Sequence, residues 1–349
     1  MTPNIETSTD RNTVRWGIIG CGNVCEVKSG PALYKTPHSR LLAVMRRDGA
    51  KAADFARRHG VARSTDDAES ILADPRIDIV YVATPPATHL GYALRVAAAG
   101  KHCYVEKPMA RSAVEGRQMV DAFAAAGRKL FVGYYRRTLP IFAKASALVE
   151  SGAIGRLTGI LHRQYNASHR RPNGWRVDAE QSGGGLFVDL ASHVFDALDH
   201  LTGPFTRVHG SAAHLAADYA VEDVVSVCWQ SERGAVGTSL WNFASDVEEE
   251  GIDLTGTEGR LSWPVFGGST ITLTRGKRTE TFDAPYPEHV HGPLVQTIVD
   301  ELRGVGVCPS TGESALRTQI VLDACLNDYY RGRDDAFWAR PQTWRRQET

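Results

Sequence analysis

No run of apolar residues approaches the ~20 that a membrane-spanning helix needs, so no membrane partner is expected. Neither sign of charge is in excess: 40 Lys and Arg stand against 40 Asp and Glu in 349 residues. That balance supplies no basic stripe for nucleic acid or for an anionic membrane surface. Cysteine is scarce, six in all, and forms no paired framework, which fits a reducing cytoplasm. The first dozen residues, Met1 to Asn12, are polar and lack the apolar centre of a signal peptide, so they read as a loose tail on a protein that is not exported. Cys21 and Cys25 have no further ligands nearby, so they read as small loop fillers, and no metal is expected.

What remains is a chain long enough for two domains and a large core. Val14 to Ile19 reads as a buried strand running into Gly20-Cys21-Gly22-Asn23-Val24-Cys25. Glycine there permits a tight turn and lets backbone N–H groups approach a pyrophosphate. Cys25 replaces the usual third glycine or alanine, which implies slightly looser helix–strand packing. Strands over Leu41–Met45, Asp78–Ala83, His102–Val105 and Lys129–Gly133 alternate with helices over Ala50–His59, Thr88–Ala99 and Ser112–Ala126. The alternation predicts an α/β Rossmann domain, a doubly wound parallel sheet with ligands at the strands' carboxyl ends. Gly20, Arg46, Thr84 and Lys107 all follow strand ends, so they should converge on one crevice.

At the end of the second strand stands Met45-Arg46-Arg47-Asp48. Two guanidinium groups suit a ribose 2′-phosphate, which favours NADP(H). The competing reading has Asp48 reaching the ribose of NAD(H). In Thr84-Pro85-Pro86-Ala87-Thr88-His89 the prolines fix a turn over the expected cofactor path, and Thr88 is placed to cap the next helix.

After Arg136-Arg137 and a helix ending near Ser151 the texture changes. Gly155–Asn166, Phe205–His214, Asp223–Gln230, Ala235–Phe243 and Glu249–Gly256 read as strands, with shorter ones to Phe282. That predicts a C-terminal α+β domain with a large, mostly antiparallel sheet. Between Asp223 and Trp229 one face is bulky and the other small but uncharged, so a partner subunit could cover it, giving a homodimer or homotetramer. The acidic run Asp246–Glu250 reads as a solvated edge, and Arg170–Gly174 as a mobile loop or a cover for the pocket. His289–Arg303 and Glu313–Tyr330 read as packing helices. Tyr286, His289 and His291 precede them and are unranked substrate contacts.

The chemistry concentrates in Glu106-Lys107-Pro108 and in Asp189 with His193. Lys107 follows a strand. Asp189 and His193 stand four apart after Ser182-Gly183-Gly184-Gly185, on one helix face, so the carboxylate is expected to orient the imidazole as a general base.

In order along the chain, GxGxx, the Thr84 turn, Glu106-Lys107-Pro108, Gly133-Tyr134-Tyr135-Arg136-Arg137, Trp175-Arg176, the triple glycine and Asp189…His193 resemble the glucose–fructose oxidoreductase/inositol dehydrogenase/rhizopine-catabolism (Gfo/Idh/MocA) family. The resemblance spans about Val14 to Tyr330 and implies a dinucleotide domain over residues 14–134 and a substrate and oligomerisation domain over 135–349. It implies an NAD(P)-dependent oxidoreductase moving hydride between nicotinamide and a carbinol or ketone of a sugar or cyclic polyol. Lys107, Asp189 and His193 would be catalytic. Gly20, Gly22, Asn23, Val24, Cys25, Arg46, Arg47, Thr84, Pro85, His89, Glu106, Lys107, Tyr135, Trp175 and Arg176 would hold the cofactor. Lys107, Trp175, Asp189 and His193 would hold substrate. The chain departs from the family pattern at Tyr135, where Asn is frequent, and at Ala191, where Gly is frequent. Alternatives are a redox-neutral glycosidase that retains its dinucleotide and a non-catalytic nucleotide sensor.

Overall fold

The computed structural model describes residues 12–166 and 174–333. Six parallel strands form the first sheet: β1 (Val14–Ile19), β2 (Ser39–Met45), β3 (Arg63–Thr65), β4 (Ile79–Val82), β5 (His102–Val105) and β6 (Leu130–Val132), in the order β3-β2-β1-β4-β5-β6. β1 pairs with both β2 and β4, so the order reverses there and the crevice opens at the carboxyl ends of those strands. Every residue of β4 is buried, as expected for a parallel strand covered on both faces.

The second sheet has eight strands: β7 (Leu157–Tyr165), β8 (Phe205–Ala213), β9 (Val224–Ser231), β10 (Val236–Asn242), β11 (Glu249–Gly256), β12 (Arg260–Trp263), β13 (Thr270–Arg275) and β14 (Arg278–Asp283). Their order is β14-β13-β12-β11-β7-β10-β9-β8. Only β7 and β10 run parallel; the other neighbours are antiparallel. The inner face packs on the helix Leu186–Thr202 through aromatic edges: Phe187 against Trp241 at 5.6 Å and Phe195 against Trp229 at 5.8 Å between ring centroids. The outer face leaves Leu161, Ser226, Cys228, Val236, Thr238 and Leu240 exposed.

The helix Gly312–Leu326 ties the sheets together, packing against Ala113–Ala125 beside the first sheet and against Leu186–Thr202 and β8 in the second. Thr311, its N-cap, also bridges to Phe131 on β6.

Two local expectations are corrected. Thr88 sits at the N-cap position of His89–Ala98 without capping it; its hydroxyl donates to the Pro85 carbonyl at 2.9 Å. Glu250 does not belong to a solvated edge: its carboxylate accepts the N–H groups of Val265, Phe266 and Gly267. The short strand β3 and the four-residue helices Ala32–Lys35 and Glu69–Leu72 were not foreseen, being too brief to show a period. The expected loop from Arg170 lies, up to Asn173, outside the described residues.

Candidate active site

The glycine loop is built around backbone demands. Gly20 has φ +93, and a Cβ there would meet the Thr84 side chain at 2.6 Å. Gly22 differs: a Cβ would meet only the Gly20 carbonyl, at 3.8 Å, and would project into a cavity of about 890 Å³. Its bare backbone is therefore useful to a ligand rather than to packing, which fits the phosphates of a dinucleotide. Cys25 fills the core behind the loop, fully buried with Sγ 4.0 Å from the Gly20 carbonyl.

That cavity runs from the glycine loop to the second sheet. Gly22, Asn23, Val24, Arg46, Thr84, Pro85, Glu106, Lys107, Tyr135, Trp175, Arg176, Asp189 and His193 line it, all expected from sequence. Gly20, Cys25, Arg47 and His89 do not. Arg47 is exposed to solvent. His89 is fully buried behind the wall, its Nε2 2.7 Å from the Thr84 carbonyl and its Nδ1 3.1 Å from that of Pro108. It thereby joins the turn carrying Thr84 to the turn carrying Lys107. Asp48 caps the helix Gly49–His59 by accepting the Lys51 N–H, and its carboxylate pairs with the Lys51 ammonium at 3.2 Å.

Lys107 emerges from β5 and crosses the cavity to the helix Leu186–Thr202. Its Nζ donates to Asp189 Oδ1 at 2.6 Å and to the Asp189 carbonyl at 2.9 Å. Arg176 Nε donates to Oδ2 of the same carboxylate at 3.1 Å, and its guanidinium stacks on Trp175 at 4.5 Å. Burial pushes the Asp189 pKa up, but Lys107 and Arg176 outweigh it and hold the group below its ordinary value. A lysine ammonium has three protons, so one remains for the cavity.

The expected pairing of Asp189 with His193 is not made. Two cations occupy the carboxylate, and no hydrogen bond joins it to the imidazole. His193 is 5% exposed, and its Nδ1 is buried without a partner. Burial first, and then the positive charge of Arg136 and Lys107, keeps its pKa well below the ordinary histidine value, so it is uncharged at neutral pH. Tyr135 packs edge-on against it at 5.1 Å.

Lys28, Leu190, Phe266 and Val290 also line the cavity without a signal in the sequence, and so does Arg136, which the sequence marked only as part of the Gly133–Arg137 motif. Of the three unranked residues, Tyr286 and His291 reach it and His289 does not, being held by Lys35 at 2.7 Å and the Val27 carbonyl at 2.8 Å. Glu106 is buried, its pKa raised by that burial, and accepts from the Tyr81 hydroxyl and the Lys107 N–H. Among the described residues no group of three or more His, Cys, Asp or Glu is placed to hold a metal ion.

Residues 14–134 match a family model described as "Oxidoreductase family, NAD-binding Rossmann fold", and residues 142–262 match the "GFO/IDH/MocA C-terminal domain". The chain is similar to Oxidoreductase P35 of Formosa agariphila, 37% identical over 316 residues, covering 89% of this chain and 97% of that one. It is 26% identical to the 1,5-anhydro-D-fructose reductase of Ensifer adhaerens over 86% of this chain and 92% of that one. A levoglucosan dehydrogenase solved with NADH and levoglucosan shares the fold at TM-score 0.81, with 23% identity over 91% of this chain and 98% of that one.

Proposed function

The chain belongs to the Gfo/Idh/MocA family of oxidoreductases, built on an NAD-binding Rossmann fold, and from that premise we propose that it interconverts a carbinol and a ketone on a sugar or cyclic polyol. The observation that carries this reading is Lys107 Nζ, fixed by Asp189 at 2.6 Å in the same cavity as the glycine loop and the uncharged His193. A bound nicotinamide supplies or accepts the hydride. Residues 14–134 hold the dinucleotide and residues 135–349 the substrate.

In oxidation, Lys107 gives its free proton as a hydrogen bond to the reacting oxygen and stabilises the alkoxide charge that develops there. His193, which lines the cavity and is held uncharged by burial, takes the hydroxyl proton. Asp189 acts on Lys107 rather than on His193, holding the ammonium in place and compensating its charge. In reduction the same groups return the proton. Arg46 lines the cavity and Asp48 is committed to Lys51, so the cofactor preferred is NADP(H), with NAD(H) second.

The exposed outer face of the second sheet, with Leu161, Val236 and Leu240, supports a homodimer or homotetramer through that sheet. All six cysteines are free, which supports a cytoplasmic location. No helix among the described residues is long and apolar enough to cross a membrane.

The test is NAD(P)H formation with a panel of sugars and polyols, for wild type and Lys107→Ala. The variant should lose kcat by roughly 10²- to 10⁴-fold while cofactor binding, followed by NAD(P)H fluorescence, persists. Near-normal turnover in the variant would refute the assignment. A cofactor that survives dialysis, with glycoside cleavage and no net reduction, would replace the dehydrogenase reading with a redox-neutral glycosidase.

A further inference from the structure

We propose that the substrate carries a carboxylate, as a uronate or aldonate does, and that Arg136 receives it; this rests on the oxidoreductase reading and names the substrate class within it. Arg136 and Arg137 are consecutive and equally buried, at 5% and 6% exposed, yet their surroundings are opposite. Arg137 is neutralised twice, by Asp196 at 2.7 Å and Asp199 at 3.1 Å. Arg136 has no carboxylate within 4 Å among the described residues. Its Nε donates to the Val265 carbonyl at 3.3 Å, its guanidinium lies 4.5 Å from the Phe266 ring centre and 5.2 Å from that of Tyr135, and Nη1 is buried with no partner. Aromatic faces soften the burial of a cation but leave its N–H groups unsatisfied. Glu250, whose charge is felt at Tyr286 together with that of Arg136, is consumed by three backbone N–H groups. Asp189 is consumed by Lys107 and Arg176.

His291, on the same cavity lining, is already turned toward a carboxylate of the protein, so Arg136 alone is left as the buried group for an anion. The imidazole is fully buried, and its Nδ1 lies 2.7 Å from the Tyr104 hydroxyl. That hydroxyl has no other partner, so it donates to Nδ1 and the ring proton falls on Nε2, which is buried without a hydrogen bond and lies 3.7 Å from Glu106 Oε1. The Tyr135 ring packs on both, 4.6 Å from the His291 imidazole and 5.2 Å from the Arg136 guanidinium. Lys28, exposed and without an ion pair among the described residues, adds positive charge at the cavity's rim. The cofactor's phosphates do not account for Arg136, because its wall is made by Val265 and Phe266 beside the second sheet, away from the glycine loop. A planar guanidinium fork matches a carboxylate in two parallel hydrogen bonds. A phosphate ester, with twice the charge, would call for more than one buried cation.

The experiment compares kcat/KM of the full-length enzyme for matched pairs, D-glucuronate against D-glucose and D-gluconate against sorbitol, with glucose 6-phosphate as a third arm. The acid of a pair should be preferred by roughly 10- to 100-fold, the scale of a hydrogen bond to a charged group. Arg136→Gln should collapse that ratio mainly through KM. Lys28→Gln, at an exposed position where folding is safe, should lower the ratio less, and added salt should reduce the difference. Equal use of acid and neutral partners, or preference for the phosphate, overturns the carboxylate site and leaves the oxidoreductase reading intact. If no compound is turned over, thermal stabilisation by the acids alone keeps the site while the oxidoreductase reading fails. Stabilisation by none of them overturns the site.

Discussion

Asp189 illustrates how a single carboxylate is allotted among competing neighbours. Lys107 and Arg176 take one oxygen each, and His193, one turn along, is left unpaired. Coulomb attraction favours two permanent cations over an imidazole that burial keeps neutral. Helical spacing showed that Asp189 and His193 share a face, but spacing has no information about a lysine arriving from β5, 82 residues away in sequence. The proposed NADP(H) preference rests on a similar comparison at the cofactor end. Asp48 is committed to Lys51, whereas Arg46 makes only a long 3.5 Å contact to the Cys21 carbonyl and keeps most of its donors free. Arg46→Ala should therefore weaken NADPH by roughly 10-fold or more, the loss of a charge-assisted pair, and weaken NADH much less. Fluorescence titration of both cofactors checks this, and an equal loss for the two would show that Arg46 does not read the 2′-phosphate.

Elements explain why the residues stay where they are. The helix Leu186–Thr202 carries Asp189 and His193 on one side, and one turn beyond His193 it carries Asp196, which with Asp199 grips Arg137 from the turn after β6. Arg317 reaches Asp199 from a third element, the helix Gly312–Leu326, at 2.7 Å. Arg137→Met would leave Asp196, which is 0% exposed, without its cation and should cost about 3–5 kcal/mol. Arg137→Met with Asp196→Leu should recover part of that loss, because the stranded charge is removed along with its partner. Urea unfolding of the two variants checks the sign; a double variant no more stable than the single one would mean that the pair acts by shape and not by charge. The helix itself was legible, since its apolar period and the preceding glycines are local signals. So were β1, β5 and β11, where apolar or alternating runs end at turns. The clamp was not legible, because Arg137 and Asp196 are 59 residues apart and neither position advertises its partner.

At the scale of the whole molecule, the cavity and the buried charges belong to the junction of two sheets, and one consequence is how the protein meets acid. His102, His162, His193 and His291 are all held below the ordinary histidine value, with burial as the first cause. Each favours folding fully above pH 6.5, where the unfolded chain is also neutral, and that contribution fades as pH falls toward the folded pKa. Glu106, Asp196, Glu222 and Asp323 are shifted the other way, upward by burial, and favour the folded state at low pH, losing that contribution as pH rises through their folded pKa. The two groups oppose each other, so the overall stability curve is a poor test of either. His162 isolates the histidine side. It lies on the inner face of the second sheet, with Nδ1 2.7 Å from Ser239 Oγ, Nε2 buried and unpartnered, and a pKa pushed down to about 3 by burial and then by Arg163. His162→Gln removes this one proton site and leaves the buried carboxylates unchanged. Between pH 6.5 and about 3, wild type should lose stability relative to the variant by about 1.4 kcal/mol per pH unit. Urea unfolding of both proteins across that range measures the difference directly. A gap between the two that does not change with pH would mean that His162 is not taking up a proton on unfolding.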